Sequence, residues 1–159
     1  KKSYDTSVIF KTKSAKETQK TAANLVRKII KLKPQKHARV FALEGELGAG
    51  KTTFIQGFAK ALKIKQKITS PTFVLIKNYS LHTTHYKLLY HIDAFRLRDW
   101  RDLVSLGIKD IFADPGNVIM IEWAERVRPI LPLQKTTVHI DHLGENTRKI
   151  TITSVNNLL

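Results

Sequence analysis

Ala22, Leu25, Val26, Ile29 and Ile30 recur at the three-and-four spacing of one helix face, and Ser14-Ala15-Lys16-Glu17 ahead of them has the form of a capping box. The pattern predicts an amphipathic helix that runs until Pro34 stops it. Val40-Phe41-Ala42-Leu43 is a short unbroken apolar run between basic residues and a glycine, which suits a buried strand. Phe54, Ile55, Phe58, Ala59 and Leu62 then share one face of a second helix. Residues 72–80 and 86–93 are β-rich and joined by a short polar link, which predicts an antiparallel hairpin. Asp99 to Ala113 reads as one or two short helices interrupted near Gly107, followed by a turn at Asp114-Pro115-Gly116-Asn117 and a buried strand at Val118-Ile119-Met120-Ile121. Val138, Ile140, Ile150 and Ile152 alternate with polar positions on either side of Gly144-Glu145-Asn146, the mark of a half-exposed hairpin.

Composition narrows what this framework can be. The 159 residues suffice for one domain, 1–159, and 42% hydrophobic with 26% charged residues is ordinary globular usage. The absence of cysteine excludes disulfides, thiolate metal sites and a cysteine nucleophile. Apolar runs fall far short of the roughly 18 residues that span a bilayer, so a soluble cytoplasmic protein with no membrane partner is expected. Charge is uneven. The chain carries 28 basic and 13 acidic residues, with 17 and 4 of them in 1–67 against 11 and 9 in 68–159. The basic half points either to a polyanionic partner or to a lysine-rich solvated surface, and 20 of the 28 basic residues being lysine favours the second.

Gly45-Glu46-Leu47-Gly48-Ala49-Gly50-Lys51-Thr52 satisfies G-x-x-x-x-G-K-[ST], between a strand ending at Glu44 and a helix beginning near Thr52. Glycines let the backbone turn its N–H groups onto phosphate oxygens, and the helix start adds about half a positive charge. Lys51, expected in a solvent-facing loop, would reach the β and γ phosphates, and the Thr52 hydroxyl would ligate Mg²⁺. Glu46, Leu47, Gly48, Ala49, Gly50, Lys51, Thr52 and Thr53 form the expected ATP-binding segment, although Thr53 reads better as a helix-start threonine than as a ligand. Asp93 and Glu122 each end an apolar run, where an α/β sheet lines its ligand crevice, and the sequence leaves open which holds metal and which orients water. Adenine is favoured over guanine, because Asn-Lys-x-Asp is missing and Asp93-Ala94-Phe95-Arg96 lacks the glycine of Asp-x-x-Gly. His82, His85 and His91 read as solvated or core histidines.

Gly-Glu-Leu-Gly-Ala-Gly-Lys-Thr-Thr, Ser70-Pro71-Thr72-Phe73, His91-Ile92-Asp93-Ala94-Phe95-Arg96-Leu97 and Ile121-Glu122-Trp123, in this order, resemble the TsaE (formerly YjeE) family over about residues 38 to 127. The resemblance implies a P-loop NTPase fold, a three-layer α/β/α arrangement whose mixed central sheet includes antiparallel hairpins. It implies an ATPase that uses ATP and Mg²⁺, works with the TsaB and TsaD proteins in forming threonylcarbamoyladenosine (t6A) at position 37 of tRNA, and turns over slowly alone. By the same resemblance Lys51 holds phosphates, Thr52 and Glu122 hold Mg²⁺, Asp93 stands near the metal and its water, and Thr72 takes a switch-like catalytic position over the γ-phosphate. Trp123 would sit against nucleotide or partner, where a bare tryptophan reads as core. Phe95 replaces the tyrosine of the family's H-x-D-x-Y-R pattern, so it keeps a ring and loses a hydroxyl. Arg96 or Arg126 is a candidate for transition-state charge. Two rivals stand beside this reading. A small-molecule kinase would need an arginine-rich lid, which no segment offers, and a basic nucleic-acid-binding module would hold its nucleotide structurally.

Overall fold

Arg39–Glu44 (β2) lies inside the sheet because its side chains are apolar on both faces: Val40 and Ala42 face one core, Phe41 and Leu43 the other. The computed structural model describes residues 5–70, 75–155 and 158–159. Around β2 the described residues form a seven-stranded sheet. Asn117–Glu122 (β5), buried at every position, and Thr136–His142 (β6) flank β2 in parallel, and Leu88–Asp93 (β4) lies parallel beyond β5. The antiparallel additions are Ile76–Ser80 (β3) on β4, Arg148–Val155 (β7) on β6, and Asp5–Thr12 (β1) on β7. The sheet is therefore mixed, with both expected hairpins present.

Helices cover both faces. Ala15–Ile29 (α1) and Lys51–Ala61 (α2) pack with Phe41, Leu43, Met120 and Ile150 on one side. Arg101–Ser105 (α3), Ile108–Ala113 (α4) and a 3₁₀ helix at Ala124–Ile130 cover Val40, Ala42, Ile119 and Ile121 on the other. Ser14 caps α1 as expected, accepting the Glu17 N–H at 3.1 Å, while the Glu17 carboxylate accepts the Lys13 N–H at 2.6 Å, one residue upstream of the usual capping-box partner. α1 stops at Ile29, before Pro34, because residues 30–32 tighten into a three-residue turn. α3 and α4 break at Gly107 (φ 86°), as the sequence predicts.

Two elements were not predicted. β1 has no clean alternation, and as an edge strand it leaves Ile9 61% exposed. The 3₁₀ helix follows Trp123, whose left-handed backbone (φ 57°) no side-chain pattern announces. Residues 71–74, and with them Thr72, lie outside the described residues. Among the described residues no helix is long and apolar enough to cross a membrane.

Candidate functional site

Parallel pairing of β2 with β5 and of β5 with β4 puts Leu43, Glu122 and Asp93 in register, so both acids stand at carboxyl ends beside the loop that leaves β2. That loop has a strict backbone. Gly45 has φ 139°, and a Cβ there would meet the Ile140 carbonyl oxygen at 2.4 Å, so only glycine passes β6. Gly50 (φ 108°) precedes α2, and no side chain caps the first turn of that helix. Its leading N–H groups thus present the positive helix end to the crevice, the arrangement suited to phosphate.

Lys51, the first residue of α2, is 5% exposed, so it is not in the solvent-facing loop expected from the sequence. The carboxyl-end crevice and the Trp123 ring enclose it. Its Nζ donates to the carbonyls of Gly45 at 2.5 Å and Glu46 at 2.9 Å and stands 4.1 Å from the centre of the Trp123 ring. Burial lowers the lysine pKa, while Glu122, Glu125 and Asp93 pull it back towards the charged form.

The Thr52 hydroxyl donates to Glu122 Oε1 at 2.7 Å and lies 2.9 Å from the Ser70 hydroxyl. Giving its proton to Glu122 leaves the Thr52 oxygen's lone pairs for a cation. Thr52, Glu122 and Asp93 supply only oxygen donors, the set a hard ion such as Mg²⁺ takes together with phosphate. Asp93 accepts the Phe95 N–H at 2.9 Å, and burial raises its pKa, with Glu122 pushing the same way and the Phe95 N–H, His91 and Lys51 opposing. A cavity of about 410 Å³ joins these groups. Leu47, Gly48, Gly50, Lys51, Thr52 and Thr53 line one wall, and Ser70, Asp93, Phe95, Arg96, Glu122 and Trp123 line the other. Glu46 and Ala49 take part through their backbones: the Glu46 carbonyl accepts Lys51 and the Ala49 N–H.

The left-handed turn at Trp123 swings its ring over Lys51 and onto Phe95, 5.0 Å away, so Phe95 packs without the missing hydroxyl. Arg126 donates to the Phe95 carbonyl at 2.6 Å and lies over both rings, while Arg96 lines the cavity directly.

Three participants escaped the sequence reading. By sequence Ser70 stands out only as the first residue of Ser70-Pro71-Thr72-Phe73. His91, by sequence a solvated or core histidine, is fully buried in the core, but its Nε2 also meets Glu122 Oε2 at 2.7 Å. A carboxylate only accepts, so Nε2 carries the proton. The signal was available, since His91 and Asp93 are two apart on one strand face. Arg148, whose guanidinium grips the loop at Ala49, had no signal in the sequence. His91→Phe keeps the ring but leaves Glu122 Oε2 without its donor; urea unfolding is expected to show a loss of about 1–3 kcal/mol, and an unchanged midpoint would contradict that linkage.

The family model described as threonylcarbamoyl adenosine biosynthesis protein TsaE matches residues 12–150. The tRNA threonylcarbamoyladenosine biosynthesis protein TsaE of Bacillus subtilis is 41% identical over 118 residues, 74% of this chain and 71% of that protein. The protein of the same name from Aquifex aeolicus is 35% identical over 138 residues, 86% and 91% of the two chains. The crystal structure of Bacillus subtilis YdiB superposes with a TM-score of 0.75 at 32% identity, covering 98% of this chain and 90% of that one.

Proposed function

Because the chain belongs to the TsaE family, we propose that it serves tRNA threonylcarbamoyladenosine (t6A37) biosynthesis as a cytoplasmic ATPase that binds ATP with Mg²⁺ and acts in complex with TsaB and TsaD. The observation that carries this is the joined set at the carboxyl end of the sheet: a buried lysine inside a glycine loop, with Thr52 bonded to Glu122 one residue on. A structural glycine turn needs neither the buried cation nor the hydroxyl–carboxylate pair.

In this reading the loop N–H groups and Lys51 bind the β and γ phosphates, and Trp123 shields Lys51 from water. Bound Mg²⁺ neutralises charge on the phosphate oxygens. Glu122 orients the Thr52 hydroxyl, and His91 in turn orients Glu122. Asp93, a better proton acceptor for its burial, positions the attacking water together with Thr72. Glu122→Gln is expected to raise the Mg²⁺ needed for half-maximal hydrolysis by about tenfold or more, with nucleotide uptake in EDTA unchanged. An unaltered Mg²⁺ requirement would remove Glu122 from the metal's surroundings.

One set of assays tests the whole reading: ATP hydrolysis by the protein alone, with small acceptor molecules, and with TsaB, TsaD and tRNA. Stimulation by the last mixture supports it. Phosphorylation of a small acceptor would establish the kinase instead, and retained nucleotide without turnover beside salt-sensitive RNA binding would establish the nucleic-acid module.

A further inference from the structure

Arg148 opens β7 opposite His142, at the end of the sheet where the glycine loop leaves β2. Its guanidinium is committed to backbone carbonyls. Nε donates to Ala49 at 2.9 Å and Nη2 to Gly48 at 3.4 Å, while Nη1 donates to Gly144 at 2.9 Å, Thr147 at 3.1 Å and Glu145 at 3.3 Å. Among the described residues no carboxylate forms an ion pair with it. A cation that gives up acidic partners to hold a loop by its carbonyls is placed for the loop's geometry.

We propose that Arg148 is a positioning residue for nucleotide phosphates: by holding the Gly48 and Ala49 carbonyls on one side of the loop, it fixes the Ala49–Gly50 peptide plane, whose N–H receives phosphate, and anchors the plane before it. The proposal rests on the ATP-binding reading above. Every peptide bond described is trans, and in a trans peptide the C=O and N–H point opposite ways. The Ala49 carbonyl turned to Arg148 therefore sends the Gly50 N–H to the other face, towards the crevice that Gly50 lines. The preceding peptide is held twice, its Gly48 carbonyl by Arg148 and its Ala49 N–H by the Glu46 carbonyl at 3.0 Å. Glycines at 48 and 50 permit this conformation without enforcing it, since their backbones have many alternatives. The planar fork of arginine removes that freedom by bonding these two carbonyls together with three of the 143–147 turn, five acceptors that the three donors of a lysine ammonium cannot all serve. Because the same group binds three carbonyls of the 143–147 turn, that turn and the phosphate loop are mechanically one unit.

Calorimetry with ADP and Mg²⁺ on the whole chain and on Arg148→Ala, Arg148→Gln and Arg148→Lys tests this, together with the ADP-induced shift of the Gly50 amide resonance. Expected is an ADP affinity lower by about tenfold in all three variants, the strength of one charge-assisted hydrogen bond, with Lys failing to rescue. The Gly50 amide shift should shrink even at saturating ADP, a signature that mere loss of fold stability does not produce. Should Arg148→Ala fail to fold, Gln and Lys decide. Wild-type binding with variant affinities within twofold and an unchanged Gly50 shift overturns the proposal alone. Absence of ADP uptake by the wild-type chain overturns the ATP-binding reading and this proposal with it.

Discussion

Lys51→Ala is expected to cut ATP turnover by about 10²- to 10³-fold, the usual effect of removing one preorganised donor from a developing charge. The geometry sets this size. Lys51 is the cation enclosed by the loop, 5% exposed, with Trp123 across it, so bulk water does not replace its charge. Stability should change far less. Removing the ammonium relieves the burial cost that lowers its pKa, but it also deprives the Gly45 and Glu46 carbonyls of a donor and Glu122, Glu125 and Asp93 of a counter-charge. These terms oppose one another, so a melting shift under about 4 °C, or roughly 1 kcal/mol for a chain of this size, is expected. Hydrolysis and thermal unfolding measured on the same preparation separate the two effects. Wild-type turnover in the variant would end the role assigned to the loop.

Gly57→Ala should cost stability although alanine is the better helix former. The propensity gain is about 1 kcal/mol. Against it, a Cβ at Gly57 would lie 2.4 Å from Gln19 Cα and 2.5 Å from the Gln19 carbonyl oxygen, both backbone atoms of α1. Backbone cannot swing aside as a side-chain tip does. α1 is itself fixed by Ala22, Leu25, Val26 and Ile29 in the core, so the helices must separate. Such overpacking costs about 3 kcal/mol, leaving a net loss of about 2 kcal/mol and a melting temperature lower by roughly 4–8 °C. Nucleotide affinity should fall as well, because α2 carries Lys51 and Thr52 at its start. Scanning calorimetry showing an equal or higher melting temperature would mean that the α1–α2 contact has slack the structure does not show.

Gly57 also marks the limit of what sequence patterns report. Within α2 it reads as an ordinary interruption, and its necessity comes from α1, almost forty positions away. Asp93 and Glu122 were legible as acids at strand ends, yet not as neighbours. The residue pattern leaves the two acids equivalent, and the parallel β4–β5 register together with the Thr52 bond gives them different surroundings, with Glu122 beside the hydroxyl and Asp93 closing a turn onto Phe95.

Local information alone determined the glycine loop and its lysine, the two long helices, the buried strands β2 and β5 and both hairpins, because each follows from side-chain periodicity or from a backbone requirement written within a few residues. The burial of Lys51, the His91–Glu122–Thr52 chain, the edge strand β1 and the grip of Arg148 on the loop were decided only by tertiary structure. Each depends on which strands lie side by side and in what register. Long-range pairing chooses that, and no single segment carries it.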